Sequence, residues 1–226
     1  AFFLSKSGFK VLVLDMLPSV GQGSSKRAIG GIRATHSDPA KIRLCLRSIE
    51  IFSTWKEIYG DDIDWYRGGY TFVAYREQEE NTLKELLKRQ KEFGLNINWL
   101  NKEEFLEIVP DINPNGLIGG TFSPDDGNAS PLLATHSFYR HAIDLGAEFH
   151  FNESVEEIIT LGGKVKGVKT NHSTYGTDII INAAGPWAKQ VAQLVNIDLP
   201  VHPDSHEAAI TESVSHFLNP MVVDIR

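Results

Sequence analysis

The chain has 226 residues, enough for one good core or two small ones, with 42% hydrophobic and 23% charged residues and a formal net charge of −7. Acids and bases are interspersed, which argues against a nucleic-acid surface and leaves no polybasic membrane patch, and no apolar run approaches the roughly 20 residues of a membrane span. The single cysteine, Cys45, rules out an internal disulfide framework and suits a reducing compartment.

Residues 1–7 read as the tail of a helix, with Gly8 as its left-handed cap. Residues 9–15 form a short apolar run ending in an acid, the pattern of the second strand of a dinucleotide-binding βαβ unit. The Asp15 carboxylate is then placed to accept hydrogen bonds from both ribose hydroxyls of an adenosine. Such a unit should carry a G-x-G-x-x-G turn just ahead of Ala1, so the chain reads as a fragment. Residues 21–33 follow as a Gly/Ser loop. Its small side chains permit close approach, and Lys26, Arg27 and Arg33 supply positive charge for an anion.

Ser37-Asp38-Pro39 opens a helix that ends at Gly60, with Ile42, Cys45, Ile49, Phe52, Trp55 and Tyr59 on one buried face. Cys45 is therefore a packing residue and not a nucleophile. Residues 65–67, a bend at Gly68-Gly69 and residues 70–75 read as strand, bend, strand. A charged helix over 77–93 stops at Gly94, a short strand covers 98–100, and a short helix over Lys102–Ile108 stops at Pro110. A further helix runs from about 131 to 145 with Gly146 as its cap, followed by a strand at Glu148–Phe151. Residues 155–160, Lys164–Thr170 and 177–181 form a β-meander turned by Gly162-Gly163. The last of these leads into Asn182-Ala183-Ala184-Gly185-Pro186-Trp187. A strand, a Gly turn and a helix start bring backbone N–H groups close to a ligand, because Ala and Gly put little side chain in the way. Beyond Pro200, residues 207–212 and 221–225 read as strands. His202 and His206 share a metal-like spacing, but Pro200 and Pro203 deny them a common helical face, and no metal site is expected.

Three of these segments, in this order, resemble the D-amino-acid oxidase-like FAD-dependent oxidoreductases: the strand ending at Asp15, the Gly21–Arg33 loop, and Asn182 to Trp187. Gly30-Gly31-Ile32-Arg33, followed by Pro39-Ala40-Lys41-Ile42, Ser48 and Phe52, is similar to the sarcosine oxidase β-subunit and proline or dimethylglycine dehydrogenase branch. So is the stretch Pro124 to Pro131 ahead of a helix. The resemblance covers nearly all of the chain. It implies an α/β fold in which an FAD-binding, Rossmann-like dinucleotide domain with a β-meander (1–60 and 126–198) is interleaved with a mixed-sheet α+β substrate domain (61–125 and 199–226). It implies FAD as cofactor, held by Asp15, Gly23, Ser24, Ser25, Gly30, Gly31, Val155, Ala183, Ala184, Gly185 and Trp187. Val155 matches the position whose backbone meets adenine, and the loop glycines are those expected to pass the isoalloxazine ring. The family's C-terminal flavin motif is read as lying past Arg226, so a chain with these ends is expected to bind flavin poorly.

The activity implied is FAD-dependent oxidation of the C–N bond of a secondary or tertiary amino acid of sarcosine, dimethylglycine or proline type. Arg33, Arg67, Tyr70 and His206 are the candidates for binding substrate, Arg being suited to a bidentate grip on a carboxylate. No general base is evident, and direct hydride transfer from a neutral amine needs none. Two alternatives stay open: an FAD-dependent 2-hydroxy-acid dehydrogenase, for which a cationic pocket serves equally, and a non-catalytic subunit or assembly factor on the same fold. A small amine substrate, partner subunits of a hetero-oligomeric enzyme, no nucleic acid and a cytoplasmic location complete the expectation.

Overall fold

The computed structural model describes residues 1–226 except His206. In chain order the elements are α1 (Phe2–Lys6), β1 (Leu12–Asp15), β2 (Gly31–Ile32), α2 (Pro39–Ser53), α3 (Trp55–Tyr59), β3 (Tyr70–Ala74), α4 (Glu77–Glu92), β4 (Asn98–Asn101) and α5 (Lys102–Ile108). They continue with β5 (Gly119–Ser123), β6 (Gly127–Asn128), α6 (Pro131–Asp144), β7 (Glu148–Phe151), β8 (Val155–Leu161), β9 (Lys164–Thr170), β10 (Thr174–Gly176), α7 (Ala188–Gln193) and β11 (Met221–Asp224). The chain divides into two compact units, Ala1–Arg27 with Thr135–Ile210 and Ala28–Ala134 with Thr211–Arg226. Residues 28–60 and 126–134, grouped with the first domain on sequence grounds, cluster with the second unit, and 199–210, grouped with the second, cluster with the first. Among the described residues no helix is long and apolar enough to cross a membrane.

In the first unit β1 and β7 pair in parallel, with Leu12 opposite Glu148 and Asp15 opposite Phe151. A parallel pair needs a long crossover, since no hairpin can join its ends. Phe2 is 4% exposed and meets the Phe138 ring edge-on at 5.6 Å, while Tyr139 meets Phe149 edge-on at 4.7 Å. The antiparallel meander β10-β9-β8 stands beside this pair in sequence, and Gly162 and Gly163 supply the positive φ angles of its tight turn.

The second unit holds a mixed four-stranded sheet in the order β11-β3-β5-β4, with β11 parallel to β3 and the other pairs antiparallel. One apolar cluster, Val73, Phe105, Val109 and Leu117, packs α5 against this sheet; another, Ala34, Ile42, Ile49, Leu95 and Ile97, lies under α2. Cys45 packs against the second cluster, and burial pushes its thiol pKa up, as befits a packing residue. α2 starts where a carboxylate can satisfy an orphan donor: Asp38 accepts the Lys41 N–H at 2.9 Å and Pro39 needs no partner for its nitrogen. Asp38→Ala is expected to cost about 1 kcal/mol, read as a lower urea midpoint at unchanged slope; an unmoved midpoint would show that packing alone sets this helix start.

Four sequence-based expectations are corrected. The helix from 39 to 60 is two helices, broken at Thr54, before Gly60 closes it in the left-handed conformation. Residues 65–67 contribute a single bridge, Tyr66 to Asn128, because Asp64 and Gly69 have positive φ and break the ladder on both sides. The third meander strand is Thr174–Gly176; Thr177 still donates its N–H to the Lys166 carbonyl of β9 at 3.2 Å, but 178–181 have no ladder partner among the described residues, and Ile179 and Ile181 are exposed. An apolar run becomes a strand only where another strand offers its N–H and C=O groups. Described residues of 207–212 likewise form no strand.

Candidate functional site

The first unit contains a cavity of about 560 Å³, within the roughly 300–1,000 Å³ usual for small-molecule sites. Three short segments make most of its wall: Asp15 to Leu17 at the end of β1, Gly21 to Ser25 in the loop, and Ala183 to Trp187 at the corner before α7. Ser154 and Val155, at the start of β8, and Gln190, Val191 and Leu194 complete it. Nine of the residues singled out from sequence thus line one cavity: Asp15, Gly23, Ser24, Ser25, Val155, Ala183, Ala184, Gly185 and Trp187.

Each wall segment has a local cause. The Asp15 carboxylate accepts the Leu17 N–H at 2.9 Å, and the Asp15 carbonyl accepts the Glu153 N–H at 3.0 Å, so the acid is fixed to the turn after β1 and to the chain entering β8. The loop closes on itself through Lys26 N–H to the Gly21 carbonyl and Arg27 N–H to the Ser24 carbonyl, both 3.1 Å. At the corner Asn182 works in both directions: its amide donates to the Ala188 carbonyl at 2.8 Å and its oxygen accepts the Ala184 N–H at 3.2 Å. Gly185 has a φ of 53°, which L side chains rarely adopt, and a Cβ on Gly23 or Gly185 would point into open space.

Sequence reasoning missed the bracing beneath Val155. Glu153 is 6% exposed and accepts the Thr170 hydroxyl at 2.6 Å and the Tyr175 hydroxyl at 2.8 Å, with His150 Nδ1 at 3.2 Å from its other oxygen. The Thr170 hydrogen bond, foremost, holds this carboxyl below the usual carboxylate range. No local pattern marks these residues, because they meet across three elements.

The cations assigned to an anion here lie elsewhere. Lys26 and Arg27 are absent from the cavity wall, and the Lys26 ammonium donates to Gln22 at 2.9 Å. The wall offers hydroxyls and backbone N–H groups instead, with Asp15 its one charged side chain. An adenosine diphosphate moiety fits this chemistry: an acid for vicinal hydroxyls, serines and unobstructed glycine backbone for phosphate oxygens.

The second unit holds the other candidates. Gly30, at a φ of 85°, has room for no side chain because a Cβ would overlap the Ala129 carbonyl oxygen, and a Cβ on Gly31 would overlap the Tyr70 hydroxyl and come within 2.8 Å of the Met221 sulfur. Neither glycine lines the first unit's cavity. Arg33 donates to the Thr35 carbonyl and lies over the Tyr70 and Phe72 rings, 5.8 and 5.2 Å from their centroids. Tyr70 is buried, and that burial raises its pKa. Arg67 is exposed, paired with Asp125 and bonded to the Pro124 carbonyl at 3.3 Å. His206 lies outside the described residues. A residue not singled out, Asp126, is 1% exposed and accepts the Ala34 N–H at 3.1 Å. Burial pushes its pKa up to about 6, against the opposing pull of the Ala34 N–H, Ser123, Arg33 and Thr35.

A sequence model of the family described as "FAD dependent oxidoreductase" matches residues 1–224. The chain is 26% identical over 209 residues to the 4-methylaminobutanoate oxidase (formaldehyde-forming) of Paenarthrobacter nicotinovorans, covering 91% of this chain and 25% of that protein. It is 24% identical over 224 residues to the mitochondrial sarcosine dehydrogenase of Mus musculus, covering 96% of this chain and 24% of that protein. The chain therefore spans about a quarter of the length of these curated relatives. Among solved structures, the L-proline dehydrogenase from P. horikoshii superposes with a TM-score of 0.86 at 29% identity, over 99% of this chain and 60% of that one.

Proposed function

This chain belongs to the DAO family of FAD-dependent oxidoreductases, and from that premise we propose that the whole protein oxidises the C–N bond of a small secondary or tertiary amino acid. The observation that carries the reading is the cavity of the first unit, whose acid, hydroxyls and open glycine backbone suit the adenosine diphosphate part of FAD. Asp15 would hold the ribose, Ser24 and Ser25 with the loop N–H groups the pyrophosphate, and Val155 the adenine. Glu153 keeps Val155 in place through its bonds to Thr170 and Tyr175. FAD, when bound, supplies the hydride-accepting chemistry, and the protein supplies binding, orientation and electrostatics.

We assign nucleotide binding to the first unit and substrate binding to the second. Arg33 is the cation proposed to hold the substrate carboxylate. The Tyr70 and Phe72 rings beneath its guanidinium restrict it to few orientations, so less side-chain freedom is lost when the anion binds. Arg67, neutralised by Asp125, is the weaker candidate. Substrates of the relatives set the range to test: a 4-methylaminobutanoate, sarcosine or proline type. Partner subunits and a cytoplasmic location belong to the same proposal, the latter supported by a lone, packed cysteine.

The test is an absorbance spectrum of the purified full-length protein under anaerobic conditions, before and after adding sarcosine, dimethylglycine, proline, 4-methylaminobutanoate and a panel of 2-hydroxy acids. A bound flavin bleached by one of the amines is expected. Bleaching by a hydroxy acid alone would overturn the substrate class, and a flavin bleached by none would favour a non-catalytic subunit.

A further inference from the structure

Asp126 is a sealed acid with an unfinished hydrogen-bond set. Its Oδ1 accepts the Ala34 N–H, joining positions 92 residues apart; the Ser123 and Thr35 hydroxyls also pull on the carboxyl, yet its buried Oδ2 has no well-formed hydrogen bond among the described residues. Leaving such an oxygen unpaired in low dielectric is costly, and a residue retained under that cost calls for an account. Ala34 is flanked by Arg33 and Thr35, and Arg33 bonds the Thr35 carbonyl. The acid therefore grips the middle of the three residues that aim the cation.

The groups sharing this field are few. Arg33 and Lys41 are the cations; His36, Cys45 and Tyr70 are the neutral titratable groups. Burial, then Arg33, then Lys41 lower the His36 pKa, while burial raises those of Cys45 and Tyr70. The Asp126 carboxylate acts on both Cys45 and Tyr70 against the pull of Arg33, so it is the counter-charge to Arg33 within this group.

We infer that Asp126 is a positioning residue for Arg33: it fixes the Arg33–Thr35 backbone and, by carrying or shedding its own charge, sets how strongly Arg33 holds a substrate carboxylate. The inference rests on the reading of Arg33 as the carboxylate clamp. With Asp126 ionised, part of the Arg33 charge is offset. With Asp126 protonated, the cation faces the substrate unopposed. By linkage, an incoming carboxylate raises the proton affinity of Asp126, so binding between about pH 6 and pH 7 draws up to about half a proton from solvent toward the carboxyl. The switch lies at about pH 6.

The experiment uses the full-length flavin-loaded protein and methoxyacetate, the sarcosine shape with an ether oxygen for the amine, ionised throughout the range and without a C–N bond to oxidise. Its dissociation constant is read from the perturbed flavin spectrum between about pH 5 and pH 8, in wild type, Asp126→Asn and Arg33→Ala. The wild-type constant is expected to rise roughly tenfold across that range, the order expected of one charge acting over several ångströms at an effective dielectric of about 20. Asp126→Asn should bind with the wild-type low-pH constant at every pH. A variant that keeps the wild-type slope would overturn the inference and pass the pH dependence to His36; one that binds weakly at every pH would show a purely structural role. Should the variant fold poorly, calorimetry of a His36→Gln variant in buffers of different ionisation enthalpy decides: proton uptake on binding above pH 6 supports the inference, and none overturns it. If Arg33→Ala binds methoxyacetate as tightly as wild type, the clamp reading itself fails. If Arg33→Ala weakens binding while Asp126→Asn keeps the slope, only the inference fails.

Discussion

Replacing Asp15 with Ala in the full-length protein is expected to weaken FAD binding by about ten- to a hundredfold. The carboxylate sits at the end of β1 on the cavity wall, and charge-assisted hydrogen bonds to ribose hydroxyls are worth roughly 1.5–3 kcal/mol. Part of the native carboxylate is already engaged, since it accepts the Leu17 N–H. Asp15→Asn separates the two tasks. It keeps a neutral acceptor for Leu17 and loses the charge, so it should retain the turn and still lose most of the affinity. The link to Glu153 is made by the Asp15 backbone carbonyl and survives both substitutions. Flavin retention on serial dilution, with the apoprotein's melting temperature as a control, measures the effect. Wild-type retention in Asp15→Ala would remove the ribose assignment.

The second large effect is on stability and its pH dependence. The folded protein holds the Asp126 proton up to about pH 6, while an aspartate with the ordinary value releases it near 3.8. Between those values the folded state binds more protons than the unfolded one, so raising the pH through this window removes stability. The contribution is absent below 3.8 and complete above about 6, where it amounts to a loss of about 3 kcal/mol. An asparagine carries no such titration. Relative to wild type, Asp126→Asn should therefore gain about 2.4 kcal/mol between about pH 4 and pH 7.5, measured as urea midpoints of both proteins at both pH values. A wild-type-to-variant difference that does not change with pH would mean that Asp126 titrates as an ordinary acid.

The elements that could be read from the sequence are those whose cause is local. α4 and α6 have helical periodicity and end at glycines of positive φ, and α5 carries its own capping box, in which Asn101 accepts the Glu104 N–H and Glu104 accepts the Asn101 N–H. β7 and β9 are short apolar or alternating runs bounded by turn residues. β5 was not legible. Gly-Gly-Thr-Phe-Ser has neither periodicity nor strong strand propensity, and it lies inside a sheet because β3 and β4 pair with it on both sides. Its Gly120 is required by that setting, since a Cβ would come within 2.5 Å of the Phe72 carbonyl oxygen and overlap the Phe105 ring. Ile179 and Ile181 fail in the opposite sense, with the residues of a strand and no partner among those described.

The lining of the first unit's cavity was legible because close approach to a ligand would constrain local composition: small residues, hydroxyls and an acid at a strand end appear in the sequence whatever folds around them. Charge balance left no such mark. Asp125 and Asp126 are chemically identical neighbours, yet one is partly exposed beside Arg67 and bonds Asn96, while the other is 1% exposed and anchors Ala34. Residue type sets what a carboxylate can do; the dielectric around it and the groups brought to it from distant positions set what it does, and only the tertiary structure supplies those.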